Sequence, residues 1–261
     1  MLPAKRRVLI LDYLKANGAS SIQELSDAIG GSLSTVRRDL DQLAERGYLE
    51  RTHGGAMLPP QQRATFEGEP SVNAELRHAE KAAIGREAAR RLSPGDSVIF
   101  ESSSTVMEAV RAAADRDLPL TVVTNSLLIA QFGAGVPRWR IIMPGGTLRP
   151  GSHALAGEPG ESFFREVHAD LCVTSAWAVN GTILTDASFE VAAMKRAMIA
   201  SARRTLLLVD SAKFQRLPAF CTFCETSAVD EIITDDGLRP EDHEALSGQG
   251  TCFTVVDVPR G

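Results

Sequence analysis

Long apolar runs are missing from this chain of 261 residues. None approaches the roughly 20 residues that carry a helix through a bilayer, so no membrane partner is expected. The opening stretch, "MLPAKRRVLILDYL", places basic residues before four apolar ones. Asp12 then interrupts, and no small-residue cleavage pattern follows, so no signal peptide is expected either. Cysteine is scarce: 4 residues make no disulfide framework in a chain of this length, and a reduced, cytoplasmic protein is the expectation. Metal-ligand clusters are missing too. "CTFC" (221–224) reads as thiols packed under a loop and offers two thiolates where a structural zinc site needs about four ligands. Cys252 and His243 stand at no ligand spacing, and the 5 histidines form no motif. No metal and no cofactor are expected. Bulk positive charge is the last absence. Lys and Arg number 28 against 33 Asp and Glu, for a net charge of −5. Binding to nucleic acid therefore has to rest on where individual charges sit.

What is present begins with a 44% apolar content, enough for a sizeable core, in a length that suits one large domain or two ordinary ones. Residues 1–58 hold eight basic and seven acidic side chains, leaving 20 and 26 for the remainder. Val8, Ile10, Leu11 and Leu14 give a helical stripe that Gly18 ends. "SIQE" (21–24) has the form of a capping box, with Ser21 at the N-cap and Glu24 three residues later, and Ile22, Leu25 and Ile29 follow at helical spacing. Gly30-Gly31 breaks that helix. Ser32 caps a third, on which Leu33, Val36, Leu40 and Leu43 form the apolar face, and Gly47 closes it. At about 100° per residue, the opposite side carries Ser34 and Arg38, flanked by Thr35 and Arg37, while Asp41 and Glu45 come only later.

Three short helices with a tight turn between the second and third describe a helix-turn-helix, whose last helix enters the major groove and meets bases with its N-terminal residues. Arginine suits this place because its planar fork pairs with guanine or phosphate. In "GYLERTHGGAML" (47–58), Tyr48-Leu49 and Ala56-Met57-Leu58 are expected as arms of a hairpin tipped by "THGG", a wing carrying Arg51 and His53 toward the DNA backbone or minor groove. Three small helices with a few arginines also suit a protein-binding module. The hydroxyl-rich helix start and the wing favour double-stranded DNA.

"LPPQQRATFEGEPSV" (58–72) reads as a linker, and a helix is expected from about Asn73 to Leu92. The domains are then 1–58, a linker over 59–72, and 73–261. In the last of these, strands at 97–100, 120–125, 140–143, 170–176, 205–210, 231–234 and 252–258 alternate with helices. Such alternation predicts a mainly parallel, Rossmann-like α/β sheet covered on both faces. Ligands of such sheets bind at the rim beyond the carboxyl ends of the strands. Candidate rim residues are Ser102, Ser103, Ser104 and Thr105 at a helix start, the similar Thr124, Asn125 and Ser126, and Gly145 and Gly146 for close backbone approach. Asp186, Lys195, Asp210 and Lys213 add carboxylates and ammonium groups. Amides and lysines for phosphate, with carboxylates for hydroxyls, predict a phosphorylated, polyhydroxylated small molecule.

"TVRRDL…L…GYLERTHGGA" resembles the N-terminal signature of the DeoR family of bacterial transcriptional regulators, and "LTVVTNSLLIA", "KRAMI", "LLVDSAKF" and "VDEIITDDG" resemble its C-terminal sensor domain. The resemblance covers almost the whole chain. It implies that Ser34, Thr35, Arg37 and Arg38 lie on the recognition helix and that Arg51, His53, Gly54 and Gly55 belong to the wing. It also implies a sensor similar in fold to ribose phosphate isomerase, with Lys81 matching a lysine of its first helix, and an effector that releases DNA on binding. The chain departs from the family pattern where Glu101-Ser102-Ser103-Ser104-Thr105 replaces Asp-x-Gly-Ser/Thr-Thr. It departs again where Ser175-Ala176-Trp177-Ala178 replaces Gly-Ala-x-Gly, and where Val191, beside Glu190, replaces a glutamate. These changes predict a narrowed first loop, a Trp177 that fills the pocket or stacks on the ligand, and a polyol part unlike the usual one. A homo-oligomeric repressor, dimer or tetramer, is the expectation. A sugar-phosphate isomerase carrying a DNA-binding appendage is the enzyme alternative. Asp186, Glu190 and Lys195 would be its acid–base groups, but the paired aspartates it would need before the lysine are incomplete.

Overall fold

The structure, a computed structural model, describes residues 3–45, 48–58, 77–149, 152–248, 250 and 252–259, apart from the side chains of residues 4, 5, 8, 12, 15 and 16. The Val8 side chain, Gly47, the linker over 59–72 and the start of the helix expected from Asn73 lie outside these described residues. The chain divides into two compact units, Met1–Leu76 and Arg77–Gly261.

The first unit holds α1 (Pro3–Asn17), β1 (Ala19–Ser21), α2 (Ile22–Ile29), α3 (Leu33–Glu45), β2 (Glu50–Arg51) and β3 (Gly55–Met57). The capping box forms as its residues dictate. Ser21 Oγ accepts the Glu24 amide at 3.2 Å, and Glu24 Oε2 accepts the Ser21 amide at 2.8 Å, satisfying two of the donors that a helix start leaves unpaired. Ile10, Leu11, Leu14, Ile22, Leu25, Ile29, Val36, Leu40, Leu43, Leu49, Ala56 and Leu58 make the core. Arg6 on α1 forms an ion pair with the buried Asp39 of α3, which keeps that carboxylate compensated.

Two expectations need correction here. The wing's first strand is Glu50–Arg51, because Leu49 turns into the core at 4% exposure, and β1 adds a third strand in the order β1-β3-β2. Leu33 does not join the apolar face. It is 45% exposed, because α3 enters the core only from Val36 onward.

The second unit runs α4 (His78–Ala89), β4 (Ser97–Phe100), α5 (Ser104–Ala114), β5 (Leu120–Thr124), α6 (Leu127–Gly133), β6 (Trp139–Ile142), β7 (Thr147–Leu148), β8 (Leu155–Ala156), α7 (Gly160–Glu166), β9 (Ala169–Thr174), β10 (Ala178–Asn180), β11 (Ile183–Asp186), α8 (Phe189–Ala200), β12 (Ala202–Leu208), a 3₁₀ turn (Ser211–Gln215), β13 (Cys221–Glu225), β14 (Glu231–Asp235), α9 (Pro240–Gly248) and β15 (Phe253–Val256). Seven strands form a sheet in the order β15-β14-β12-β9-β4-β5-β6, parallel throughout. Successive residues point to opposite faces of a strand. Val98 and Phe100 pack with Val106, Val122 and Leu171 on one side, and Ile99 packs with Val123, Phe164 and Cys172 on the other. Near-continuous apolar strands are what burial on both faces requires.

A small antiparallel sheet, β10-β11-β13, accompanies it. "CTFC" lies in its strand β13 rather than under a loop: Cys221 and Phe223 are buried, Thr222 is exposed, and Cys221 pairs with Asp186.

Candidate functional site

In the first unit, α3 shows two faces. Val36, Leu40 and Leu43 are buried, whereas Ser32, Ser34, Arg37 and Arg38 are exposed and Thr35 is half-buried. Ser32 Oγ lies 2.8 Å from Thr35 Oγ1 and 3.1 Å from Ser34 Oγ, and it accepts the Thr35 amide at 3.3 Å. The helix therefore starts in a cluster of hydroxyls with two guanidinium groups one turn on. Neither Arg37 nor Arg38 makes an ion pair among the described residues.

Two wing residues make contacts within the unit itself. Arg51 Nε meets Asp41 Oδ1 at 2.9 Å, and the same guanidinium donates to the Gly55 carbonyl, so this arginine binds the wing to α3. Gly55 is buried, and a Cβ there would lie 1.9 Å from the Ser20 carbonyl oxygen. Its glycine serves the contact of β3 with β1. His53 and Gly54 remain exposed at the tip.

In the second unit, the carboxyl ends of β4, β5, β9, β12 and β14 share one edge, and the polar residues there sort into two groups. In the first, the polar groups are committed to the fold. Thr124 Oγ1 accepts the Ser126 amide at 3.1 Å, Ser126 Oγ accepts the Ile129 amide at 3.3 Å, and Asn125 accepts from the Ser102 amide at 3.1 Å and donates to the Leu155 carbonyl at 2.9 Å. All three side chains are buried. Ser103 Oγ caps α5 by accepting the Val106 amide at 3.1 Å, Thr105 is buried inside the first helical turn, and Ser104 opens the helix. Gly145 and Gly146 have φ values of 83° and 120°, and a Cβ on Gly146 would lie 2.9 Å from the Ala156 carbonyl oxygen. They lead into β7, where Gly146 lies close against β8. These residues were expected to face a ligand, and the polar side chains of Ser103, Thr124, Asn125 and Ser126 also join strands and cap helices, because a buried amide or hydroxyl has to be paired.

The second group is charged. Lys195 Nζ lies 2.6 Å from Asp186 Oδ2 and 3.6 Å from Glu101 Oε1 and donates to the Ser175 carbonyl at 2.7 Å, all of them buried. Glu190, the other acid–base candidate of the enzyme reading, is exposed. Beside this pair stands a set of cations. Arg77 Nε is 3.1 Å from Asp210 Oδ1, and its Nη2 is 3.1 Å from Asp235 Oδ2 and donates to Ser211 Oγ at 2.8 Å. The Trp177 ring carries the Arg216 guanidinium at 4.7 Å and Lys213 Nζ at 5.5 Å. Trp177, expected to fill the pocket or stack on the ligand, thus positions two of the protein's own cations. Lys81 is buried, and that burial, with Arg216 and Arg77 near it and Asp210 opposing, pulls its pKa down to about 8. Burial and then Arg216 pull Lys213 down to about 7, with Asp210 opposing and Lys81 adding to the fall. Burial in a recess, with like charges close by as the smaller cause, is what lowers an ammonium pKa in this way.

The sequence reading missed Arg77 and Arg216. Arg216 had a weak signal, since it follows Lys213 by three residues and stands immediately after the 3₁₀ turn Ser211–Gln215. Arg77 had none, because its partners Asp210 and Asp235 are far along the chain. Among the described residues no group of three or more possible metal ligands converges, and no helix is long and apolar enough to cross a membrane.

A helical unit with an exposed arginine face and a wing, followed by an α/β unit with a cation-lined edge, is the make-up of a DNA-binding regulator with a receptor domain. The model of the DeoR-like helix-turn-helix domain matches residues 6–62, and that of the DeoR C-terminal sensor domain matches residues 76–236. The chain belongs to the DeoR family of helix-turn-helix transcriptional regulators. It is similar to the uncharacterised HTH-type transcriptional regulator YgbI of Escherichia coli, 32% identical over 98% of this chain and 99% of that protein. It is similar also to the HTH-type transcriptional regulator GlpR of Haloferax volcanii, 33% identical over 98% of each. The glycerol-3-phosphate regulon repressor of Escherichia coli is 32% identical over 90% of this chain and 92% of that protein. Ribose 5-phosphate isomerase A of Methanocaldococcus jannaschii superposes with a TM-score of 0.39 and 15% identity over 51% of this chain and 53% of that one.

Proposed function

We propose that this regulator is a homo-oligomeric, cytoplasmic repressor that leaves its operator when a phosphorylated sugar or related phosphorylated polyol binds its α/β unit, and that it catalyses no reaction. The domains it uses are 1–58 for DNA and 73–261 for the effector, joined by the linker 59–72. Ser32, Ser34, Thr35, Arg37 and Arg38 face the major groove, and His53 and Gly54 approach the backbone. Paired copies would set their recognition helices about 34 Å apart, or a multiple of it.

The observation that carries the effector reading is the cation cluster of Lys81, Lys213 and Arg216. Burial first, and neighbouring cations second, hold its lysines at about 8 and about 7, so an entering anion compensates charges that the fold otherwise keeps poorly solvated. Asp186 and Asp210 lie in the same region and suit the hydroxyl groups of a polyol. The name of the glycerol-3-phosphate regulon repressor supports the choice of a phosphorylated polyol. Fluorescence anisotropy on an operator duplex, titrated with sugar phosphates and with the same sugars lacking phosphate, tests the reading. A phosphorylated member should release the DNA where its dephosphorylated counterpart does not. Equal release by both would overturn the assignment of the cluster to phosphate.

A further inference from the structure

We propose that Leu33 reads sequence by placing its side chain against the C5 methyl group of a thymine, beside the position that Arg37 reaches. Leu33 opens α3 at 45% exposure, between the exposed Ser32 and Ser34. It follows the helix path onto the strip that carries Arg37, four residues later, just as Ser34 leads to Arg38. A leucine at the start of a helix, 45% exposed and outside the buried core cluster, is less well solvated there than Ser, Asp or Thr would be. Its side chain has no donor or acceptor, so it reads neither a phosphate nor the polar edge of a base. In the major groove the thymine methyl is the one apolar group on offer. The surroundings select DNA over an apolar protein surface: three hydroxyls and two arginines border Leu33, and a second protein surface would have to desolvate them.

The inference rests on α3 being the helix that enters the major groove. The full chain first selects its preferred duplex from a randomised pool. Each thymine of that duplex is then replaced singly by deoxyuridine, which deletes the methyl group and keeps every hydrogen-bonding atom. At one thymine per half-site the parent should bind about fourfold more weakly, the factor that one buried methyl group supplies. Leu33→Ala should be indifferent to that replacement, with an unchanged circular dichroism spectrum and an unchanged dependence of affinity on salt, because no phosphate contact is lost. Deoxyuridine duplexes that all bind the parent as well as the original, or that weaken Leu33→Ala as much as the parent, overturn the proposal. So does a Leu33→Ala chain whose only change is its oligomeric state, since Leu33 would then contact a second copy. A pool that yields no enriched sequence removes the groove assignment of α3 itself, and this proposal with it.

Discussion

Arg37 and Arg38 adjoin in the chain but point about 100° apart around α3, so they cannot perform the same task. Arg38 shares a strip with Ser34, opposite the buried Val36 and Leu40, and is the better placed to reach base edges. Arg38→Ala should cost about 1–3 kcal/mol of discrimination at one base position, with thermal stability changed by no more than about 0.5 kcal/mol because the side chain is exposed. Binding to the preferred duplex and its single-base variants measures this. An equal loss on every duplex would mark Arg38 as a phosphate contact.

The lysines of the second unit differ as sharply. Lys195 is buried against Asp186 at 2.6 Å and Glu101 at 3.6 Å. Lys195→Met strands two carboxylates and should destabilise the fold by about 3–5 kcal/mol, read from urea denaturation. Lys213→Ala removes a crowded cation, so it should leave DNA binding intact and weaken the response to the effector. Sequence reading placed both lysines in the pocket and could not tell them apart, since the difference lies in which carboxylates the fold sets around each.

At the level of elements, the wing shows what sequence makes visible and what it hides. The cap at Ser21, the stop at Gly30 and, apart from Leu33, the faces of α3 followed from local rules, because each depends on residues within a turn or two of each other. The wing's anchoring did not. Gly55 read as a tip residue, yet a Cβ there would sit 1.9 Å from the Ser20 carbonyl, a contact made across the chain by a three-residue strand too short to show any period. Gly55→Ala should therefore part β3 from β1 and destabilise the unit by more than the roughly 1 kcal/mol of an ordinary glycine substitution. Gly54→Ala, at a site open to solvent with nothing within 4 Å of an added Cβ, should be nearly neutral, and thermal melts of the two variants compare them. The parallel strands were legible as apolar runs because both their faces are covered. The sheet β10-β11-β13 was not, since its strands of three to five residues are buried through long-range pairing. For the same reason the Thr124–Ser126 loop read as ligand-facing, although its hydrogen bonds join α5, α6 and β8.

For the molecule as a whole, the two lowered lysine values set a pH dependence of stability and, at the proposed effector site, of effector binding. Lys81 and Lys213 stand at about 8 and about 7 against the 10.5 of an ordinary lysine. Below pH 7 both are protonated in the folded and unfolded chain, and the fold carries the full cost of burying and crowding them. Between pH 7 and 10.5 the unfolded chain keeps protons that the folded one has released, so these lysines make stability rise with pH through that window. A bound phosphate reverses the bias. Its charge favours the ammonium forms, the lysine values climb back, and binding takes up protons. Effector affinity should then fall as pH rises from 7 to 9, the opposite of the trend in stability. A phosphate monoester is already fully ionised near pH 8, having its second pKa near 6, so its own titration does not contribute there. Calorimetry at pH 8 in two buffers of different ionisation enthalpy should report net proton uptake with each effector bound, and Lys213→Ala should reduce it. Release of DNA follows the same linkage, since an effector shifts the protein between its DNA-binding and unbound forms only by its difference in affinity for the two. The effector concentration needed for half-release should therefore rise from pH 7 to pH 9. A flat dependence across that range would show that neither lysine is in contact with the bound anion.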